Sequence, residues 1–596
     1  MLKRTCTCGD SRKDQAGNTV ILSGWVNTYR DQGKSLVFID LRDRYGMTQV
    51  VFDGEDSPAD VVELGSSLRR EDVVSVEGII RVRDGKPNAK LATGEIELVA
   101  QKIEVINRTA KLPILPDDHD ADGIGEEHRL RHRYIDLRRP RMQKILALRH
   151  KITQFTRNFF ADNGFLEIET PLLITPTPEG ARDFIVPSRH QAGHWYALPQ
   201  SPQIFKQILM VAGCDKYMQI CKCLRDEDPR ADRQAEFTQI DLEMSFVEQD
   251  DVLKIMGEFA ISLYKEVGGI DLGELPQMSW KDAMDNYGSD RPDIRFDLQL
   301  ADVTEIASKT EFKVFTEACN SGGSVKAMRV PGGAEKLTRK KTDGFAEIAK
   351  TYGAGGLPVV KYQGGEFATG VAKFVEPIKN ELVEALGLVD GDLVMFGVGS
   401  YRVACTSLGE VRLAVAKELD LIPEGMFRGL WVIDFPMFDW NEDAERWVSE
   451  HHPFTAPLAS HLDTLESDPG NCLSSGYDLV INGAEVGGGS IRIHNPEVQS
   501  KVFGLLGLSQ EEAENKFGFL LNALRFGAPP HGGVAFGLDR LVMMMIGTTN
   551  IRDVIAFPKT QTGADLMCEA PGAADPVQLE ELGIIMREPV DSTEQA

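Results

Sequence analysis

Arg225, Glu227, Phe237, Gln239, Asp241 and Glu243 fall within residues 219–243, where two alternating runs flank a loop dense in charge. Two such runs predict strands of a hairpin with the loop projecting from it. Every second strand residue faces one side, so Arg225 and Glu227 point together, as do Phe237, Gln239, Asp241 and Glu243. A face of guanidinium, carboxylates, amide and aromatic is costly to bury dry. It lines a cleft, or it closes on itself as a structural ion-pair network. A second run, Gly532 to Met545, reads as an apolar strand, Val534–Phe536, passing at Gly537 into a helix from Leu538. Arg540 then sits in the first helical turn, where a cation opposes the positive helix terminus and calls for an anion, either a phosphate or a nearby carboxylate. Between these runs, Asp478 and Glu485 precede and enter a Gly-rich stretch, Gly487–Gly489, that ends near Arg492. Paired carboxylates suit a hard cation such as Mg²⁺, glycines permit close backbone approach, and Arg492 is a planar fork suited to a carboxylate. A solvated turn with a surface ion pair is the alternative.

The elements that position these groups can be read around them. Residues 19–107 carry five strand-like runs, Val20–Val26, Leu36–Leu41, Thr48–Phe52, Val73–Ile80 and Ile96–Ile106, with a helical pattern Pro58–Arg70 after the third. That order fits an OB-fold barrel, a common binder of single-stranded nucleic acid. Phe38 and Arg30 are candidates for its binding face, or Phe38 is core and Arg30 merely solvated. A Pro, Gly and Asp-rich hinge begins at Pro113. From Lys144, the spacing of Ile145, Leu148, Ile152, Phe155 and Phe159 predicts a long amphipathic helix, followed by a strand from Phe165 to Pro171. Recurring alternation points to antiparallel sheet. Gly-rich joints from about Pro292 to Pro423 break that texture and read as an insertion, and the last ten residues as disordered.

The 596 residues, at pI 5.0 and net charge −26, have the composition of folded multidomain matter. Residues 110–151 carry +3, residues 1–109 carry −1 and the rest −28. A polyanion would therefore meet the barrel and hinge. The longest apolar runs, such as Leu541–Ile546, are far too short to span a bilayer. No apolar segment follows the charged N-terminus, so a cytoplasmic protein is expected. Nine cysteines are too sparse for a disulfide scaffold. Cys6-x-Cys8 and Cys221-x-Cys223 lack a second pair to close a zinc site, and the latter reads better as strand alternation.

The helix and strand ending at Pro171, Arg225-Asp226-Glu227, and Gly537-Leu-Asp539-Arg540 resemble motifs one, two and three of the class II aminoacyl-tRNA synthetases. Thr177-Pro-Glu179-Gly-Ala-Arg-Asp, Gln200-Ser201-Pro-Gln203-Ile-Phe-Lys206, His451-His452-Pro-Phe-Thr and Gly483-Ala-Glu485-Val-Gly-Gly-Gly-Ser-Ile-Arg492 are similar to the bacterial-type aspartyl-tRNA synthetase family, in order over about residues 15–565. The resemblance implies a multidomain α+β chain. Its parts would be an OB-fold anticodon-binding domain (1–109), a hinge (110–140), a class II antiparallel catalytic sheet of seven strands with flanking helices in two parts (141–290 and 425–564), an inserted α+β domain (291–424) and a C-terminal extension (565–596).

It further implies ATP-dependent ligation of L-aspartate to tRNA-Asp, or to tRNA-Asp and tRNA-Asn, through aspartyl-adenylate. ATP would meet Arg225, Asp226, Glu227, Phe237, Gly537, Asp539, Arg540 and Glu485, with Arg225 on the α-phosphate, Arg540 on the γ-phosphate, and Mg²⁺ at Asp478 and Glu485. Aspartate would meet Glu179, Ser201, Gln203, Lys206, Gln239, Asp241, His451, His452 and Arg492. Lys206 and Arg492 would take its side-chain carboxylate, so that asparagine leaves a cationic pair uncompensated. Arg30, Phe38 and Gln49 would contact tRNA. The family's arginine-rich run after Gly24-Trp-Val-Asn27 is reduced here to Arg30. A stripe of Ile145, Leu148, Ile152 and Phe155 on the long helix fits the family's two-fold interface and predicts a homodimer, with an internal core contact as the alternative. An asparagine-forming ligase would lack the barrel, and a regulatory paralogue would have lost the cleft residues.

Overall fold

The computed structural model describes residues 2–586 except 34, 122, 177–179, 229 and 443. The chain forms two compact units, Met1–Gln143 and Lys144–Ala596.

In the first unit the strands Thr19–Asp31, Leu36–Arg42, Met47–Asp53, Val73–Val82 and Ile96–Asn107 close into a barrel. Alternation decides its inside: Leu22, Val26, Ile39, Leu41, Val50, Phe52, Val74 and Leu98 are buried in one core. The helix Ala59–Ser66 follows the third strand and packs Val61 and Val62 on that core. Closure comes from a short parallel pairing of the third and fifth strands, Val50 with Leu98 and Val51 with Val99. The first strand runs five residues beyond Val26, which brings Arg30 opposite Phe38.

In the second unit the main sheet has eight strands, in the order Gln277–Ser279, Gly429–Ile433, Gly476–Ile481, Ala484–Ile491, His531–Gly537, Glu236–Ser245, Lys216–Leu224 and Leu166–Glu167. Its six central strands pair antiparallel, as alternation predicts, but both edge strands run parallel to their neighbours. The expected antiparallel sheet is present, with eight strands in place of seven. The strand expected over residues 165–171 is reduced to the two-residue edge Leu166–Glu167, and the other edge, Gln277–Ser279, is too short to leave a periodic signal.

The helix Pro140–Asp162 buries Ile145 and Ile152 completely and half-buries Leu148 and Phe155. Phe155, Phe159 and Phe160 pack against Phe259 of the helix Gln249–Leu263 at 4.7–6.2 Å between ring centres. The predicted stripe is therefore largely an internal core contact, with Leu148 and Phe155 left half-buried.

A second, five-stranded sheet is built from Leu300–Asp302, Ser324–Val330, Leu393–Gly399, Val359–Gln363 and Glu366–Ala368. It lies between two buried apolar clusters. Its helix Tyr401–Glu418 meets the end of the helix Trp280–Tyr287 backbone to backbone, Gly409 against Gly288, where a Cβ on either glycine would overlap a carbonyl. Arg412 on this helix is fully buried. It donates to the carbonyls of Leu298, Asp293 and Phe296 and stacks 3.9 Å over the Phe296 ring, and burial lowers its pKa to about 10.

Candidate active site

The hairpin pairs Glu236 with Leu224 through Met244 with Lys216, so the face turned to the cleft is set by register. Past the ladder, Arg225 N–H still donates to the Ala235 carbonyl at 2.9 Å. Arg225 and Glu227 face the cleft, while Asp226 turns to Arg182, 3.0 Å away. The Arg225 guanidinium lies 5.1 Å from the Phe237 ring centre, and among the described residues its buried Nε has no hydrogen-bond partner.

Arg540 enters from the other side, in the first turn of the helix Leu538–Ile546. It donates to the Glu485 backbone carbonyl, and the nearest carboxylates, Glu485 and Asp232, stand 3.9 and 4.0 Å away. The cation is thus only loosely compensated. Gly537 and Asp539 both line the wall, and Asp539 spends its two oxygens inside the protein, on Arg149 at 2.5 Å and on the Thr238 N–H at 2.8 Å. Its carboxylate fixes the helix start against the hairpin. Arg225, Glu227, Phe237, Glu485, Gly537 and Arg540 surround a cavity of about 190 Å³. Asp232, Arg233, Gln234 and Ile551 also line it, and sequence reasoning missed them because the loop carrying three of them has no periodicity.

Asp478 pairs across the sheet with Gly488, and a Cβ there would lie 2.5 Å from the Asp478 carboxylate and 3.3 Å from that of Glu485. The glycine leaves room for two acids side by side. Burial, then the Glu485 charge, pushes the Asp478 pKa well above its usual range. Such a pair wants positive charge. Two adjacent carboxylates fit a hard cation completed by ligand oxygens; among the described residues no group of three or more His, Cys, Asp or Glu side chains gathers for a metal.

A second cavity of about 510 Å³ shares Arg225, Glu227, Gln239, Glu485 and Ala535 with the first. Its floor is a buried charge network. Lys206, on the helix Gln203–Val211, lies 2.7 Å from Asp241 and 3.3 Å from Glu243. Arg492 gives Nε and Nη2 to Glu243 at 3.0 and 3.1 Å, and Nη1 to Ser490 Oγ at 2.7 Å and His452 Nε2 at 2.8 Å. Both branches of the opening alternative hold here, because the face lines a cleft and closes its own ion pairs. The expected uncompensated cationic pair is corrected: two carboxylates already balance Lys206 and Arg492, as burial of four charges requires.

Other atoms of this cavity await partners. Among the described residues Gln203 Nε2, Asp241 Oδ2 and His451 Nε2 are buried without a hydrogen-bond partner. His452 is in conflict: its Nδ1 accepts from the Phe454 N–H at 3.1 Å while Nε2 faces Arg492, yet a neutral imidazole has one acceptor. Burial, then Arg492, lowers the His451 pKa to about 4 and drives His452 well below its ordinary value. Ser201 Oγ accepts from Gln203 N–H at 3.3 Å. Glu179 lies outside the described residues. Asp290 and Glu450 also line this cavity and were not anticipated.

On the barrel, Arg30 is paired with Asp40 at 2.9 Å and reaches Gln49 Oε1 at 3.2 Å. Phe38 is half-buried, and Gln49 is buried and donates to Glu97 at 2.8 Å. Arg83, not predicted, donates to Gln49 at 2.9 Å, and its Nη1 has no partner among the described residues.

A family model described as tRNA synthetases class II (D, K and N) matches residues 125–561, and one for an OB-fold nucleic acid binding domain matches residues 20–106. An aspartate–tRNA ligase of Bacillus licheniformis is 49% identical over 98% of both chains. An aspartate–tRNA(Asp/Asn) ligase of Desulfatibacillum aliphaticivorans is 50% identical, again over 98% of both. Among solved structures, asparaginyl-tRNA synthetase from Pyrococcus horikoshii with asparaginyl-adenylate matches at TM-score 0.60 and 18% identity, covering 94% of this chain and 99% of that one, a likeness of fold. With the motifs, the barrel and the two-part cleft in place, the chain belongs to the aspartate–tRNA ligases of the class II tRNA synthetase family.

Proposed function

We propose that the cleft activates L-aspartate with ATP and transfers it to tRNA. A carboxylate oxygen of aspartate attacks the α-phosphorus, the bond to the β-phosphate bridging oxygen breaks, and pyrophosphate leaves. The terminal ribose hydroxyl of tRNA then attacks the adenylate carbonyl, AMP departs, and the hydroxyl proton is released. The substrate brings its own nucleophile, so the protein's work is positioning and charge neutralisation. The observation that carries this reading is the sharing of Arg225, Glu227, Gln239 and Glu485 by two adjoining cavities, one bearing Arg540 and Phe237, the other Lys206, Asp241 and Arg492.

In this reading Arg225 and Arg540 take phosphate oxygens and Phe237 stacks on adenine. Asp478 and Glu485 would hold Mg²⁺, which supplies charge neutralisation on the phosphates. Asp241 Oδ2 meets the α-ammonium, and the side-chain carboxylate relieves the His452 conflict by offering Arg492 Nη1 a true acceptor. The barrel face of Arg30, Phe38 and Gln49 meets the anticodon, and residues 291–424 form an insertion between two catalytic parts. A cytoplasmic homodimer completes the proposal. No helix among the described residues is long and apolar enough to cross a membrane, and Leu166, Leu172 and Leu173 stand exposed just after the long helix.

Pyrophosphate exchange and charging of purified tRNA-Asp and tRNA-Asn test the reading. Exchange that requires both aspartate and ATP, with charging of tRNA-Asp, is expected. Exchange without charging would make it an asparagine-forming or other tRNA-independent ligase, and neither activity would remove the enzymatic reading. Charging of tRNA-Asn alongside decides between one tRNA and two.

A further inference from the structure

Gln239 stands where the two cavities meet, and its amide has an accepting and a donating end. Which end faces the ligand decides whether it attracts or repels an oxygen there. In the hairpin register Cys221 lies opposite Gln239 and Cys223 opposite Phe237, so both thiols share the catalytic face with the amide. Cys223 is completely buried, and its Sγ donates to Gln239 Oε1 at 3.2 Å. Cys221 Sγ lies 3.9 Å from Cys223 and donates to the Gln239 backbone carbonyl at 3.8 Å. Contact with Cys223, then burial, raises the Cys221 pKa far above the usual thiol range, so that sulfur stays protonated. Among the described residues Gln239 Nε2 has no protein partner.

We propose that Cys223 is a positioning residue for amino-acid activation: its thiol holds the Gln239 amide oxygen, so that both amide N–H groups face the cleft and donate to the α-carboxylate of the acidic amino acid. This deepens the reading of the cleft given above and rests on it. A flipped amide would set Oε1 against that carboxylate and lose the Cys223 donor at the same time, so the thiol stabilises one of two otherwise similar rotamers. Cys223 acts through Gln239 and touches no reacting atom. The second thiol holds the backbone of the same residue, which keeps the donor and the amide in register.

The test is a series at Cys223 in the full-length enzyme, followed by aspartate-dependent pyrophosphate exchange. Cys223→Val removes the donor at similar volume and is expected to raise the KM for aspartate about five- to tenfold, the scale of one hydrogen bond, with the KM for ATP within about twofold. Cys223→Ser keeps a donor and should return the aspartate KM close to that of the wild type. In a Gln239→Met background, Cys223→Val should change the aspartate KM no further. Should Cys223→Val not fold, Cys223→Ala makes the same comparison. An unchanged aspartate KM in the donorless variant, equal damage from Ser and Val, or a parallel rise in the ATP KM would each overturn the assignment. If the wild type itself shows no aspartate-dependent exchange, the reading of the cleft has failed; if it does and the series is flat, only the role of Cys223 has.

Discussion

Glu243 closes a two-pronged ion pair on Arg492, Oε1 to Nε at 3.0 Å and Oε2 to Nη2 at 3.1 Å, with neither side chain more than 2% exposed. Burial alone would raise the Glu243 pKa, but Arg492 and Lys206 outweigh it and hold the carboxyl below its ordinary value. Glu243→Gln keeps the shape and leaves a buried cation short of charge. The variant should lose about 3 kcal/mol of stability, and aspartate should recover part of it, because its carboxylate replaces the missing negative charge. A larger thermal shift on adding aspartate in the variant than in the wild type is the expected result; an equal shift would show that Glu243 does not balance the ligand site.

Acid should weaken the fold through the histidine pair. His451, with a folded pKa lowered to about 4, binds fewer protons than the unfolded chain between that value and about 6.5. Stability from this group is therefore complete above about pH 6.5 and is lost as pH falls towards 4, with His452 acting in the same direction. The raised pKa of Asp478 acts oppositely over the acid range. His451→Phe, which keeps an aromatic edge near Phe435, should flatten the fall in melting temperature between pH 6.5 and 5. A profile as steep as that of the wild type would count against the assignment.

Two neighbouring glycines should separate activity from folding. At Gly488 an added methyl intrudes between Asp478 and Glu485, whereas at Gly489 it overlaps the Gly533 backbone carbonyl. Gly488→Ala should yield folded protein with exchange activity reduced about a hundredfold, the scale of removing one charge-stabilising element. Gly489→Ala should yield little soluble protein. Expression level, circular dichroism and exchange assays on the two variants distinguish the outcomes.

Asp539 is expected to matter for stability before chemistry. Its carboxylate joins Arg149 to Thr238, residues on the long helix and the hairpin. Asp539→Asn should lower the denaturation midpoint by an amount corresponding to about 3 kcal/mol. Saturating ATP and aspartate should leave kcat within a few-fold of the wild type. A large kcat loss in stably folded variant would place Asp539 on the ligand instead.

The hairpin and the strand-to-helix turn were legible because alternation and a single glycine specify them locally. Register could not be read the same way: period two says that Asp241 and Glu243 share a face, but not that Lys206 and Arg492, 249 residues beyond Glu243, will cover it. The long helix shows the same limit, since spacing marks Phe155 as part of an apolar stripe but does not show that Phe259 packs against it. Asp232, Arg233 and Gln234 lie in an aperiodic loop whose placement depends on distant partners, such as the Lys559 carbonyl that accepts from Gln234 at 3.1 Å.

The contact between Gly288 and Gly409 has a bearing on modularity. Two bare backbones pressed together form a seam with no side chain to trim, so a shortened enzyme in which residue 290 is spliced to 425 would lay open a main-chain trench at the end of the helix Trp280–Tyr287, with peptide groups stripped of their cover. The middle segment is a welded buttress, and its removal should end in aggregation, not in a smaller working ligase.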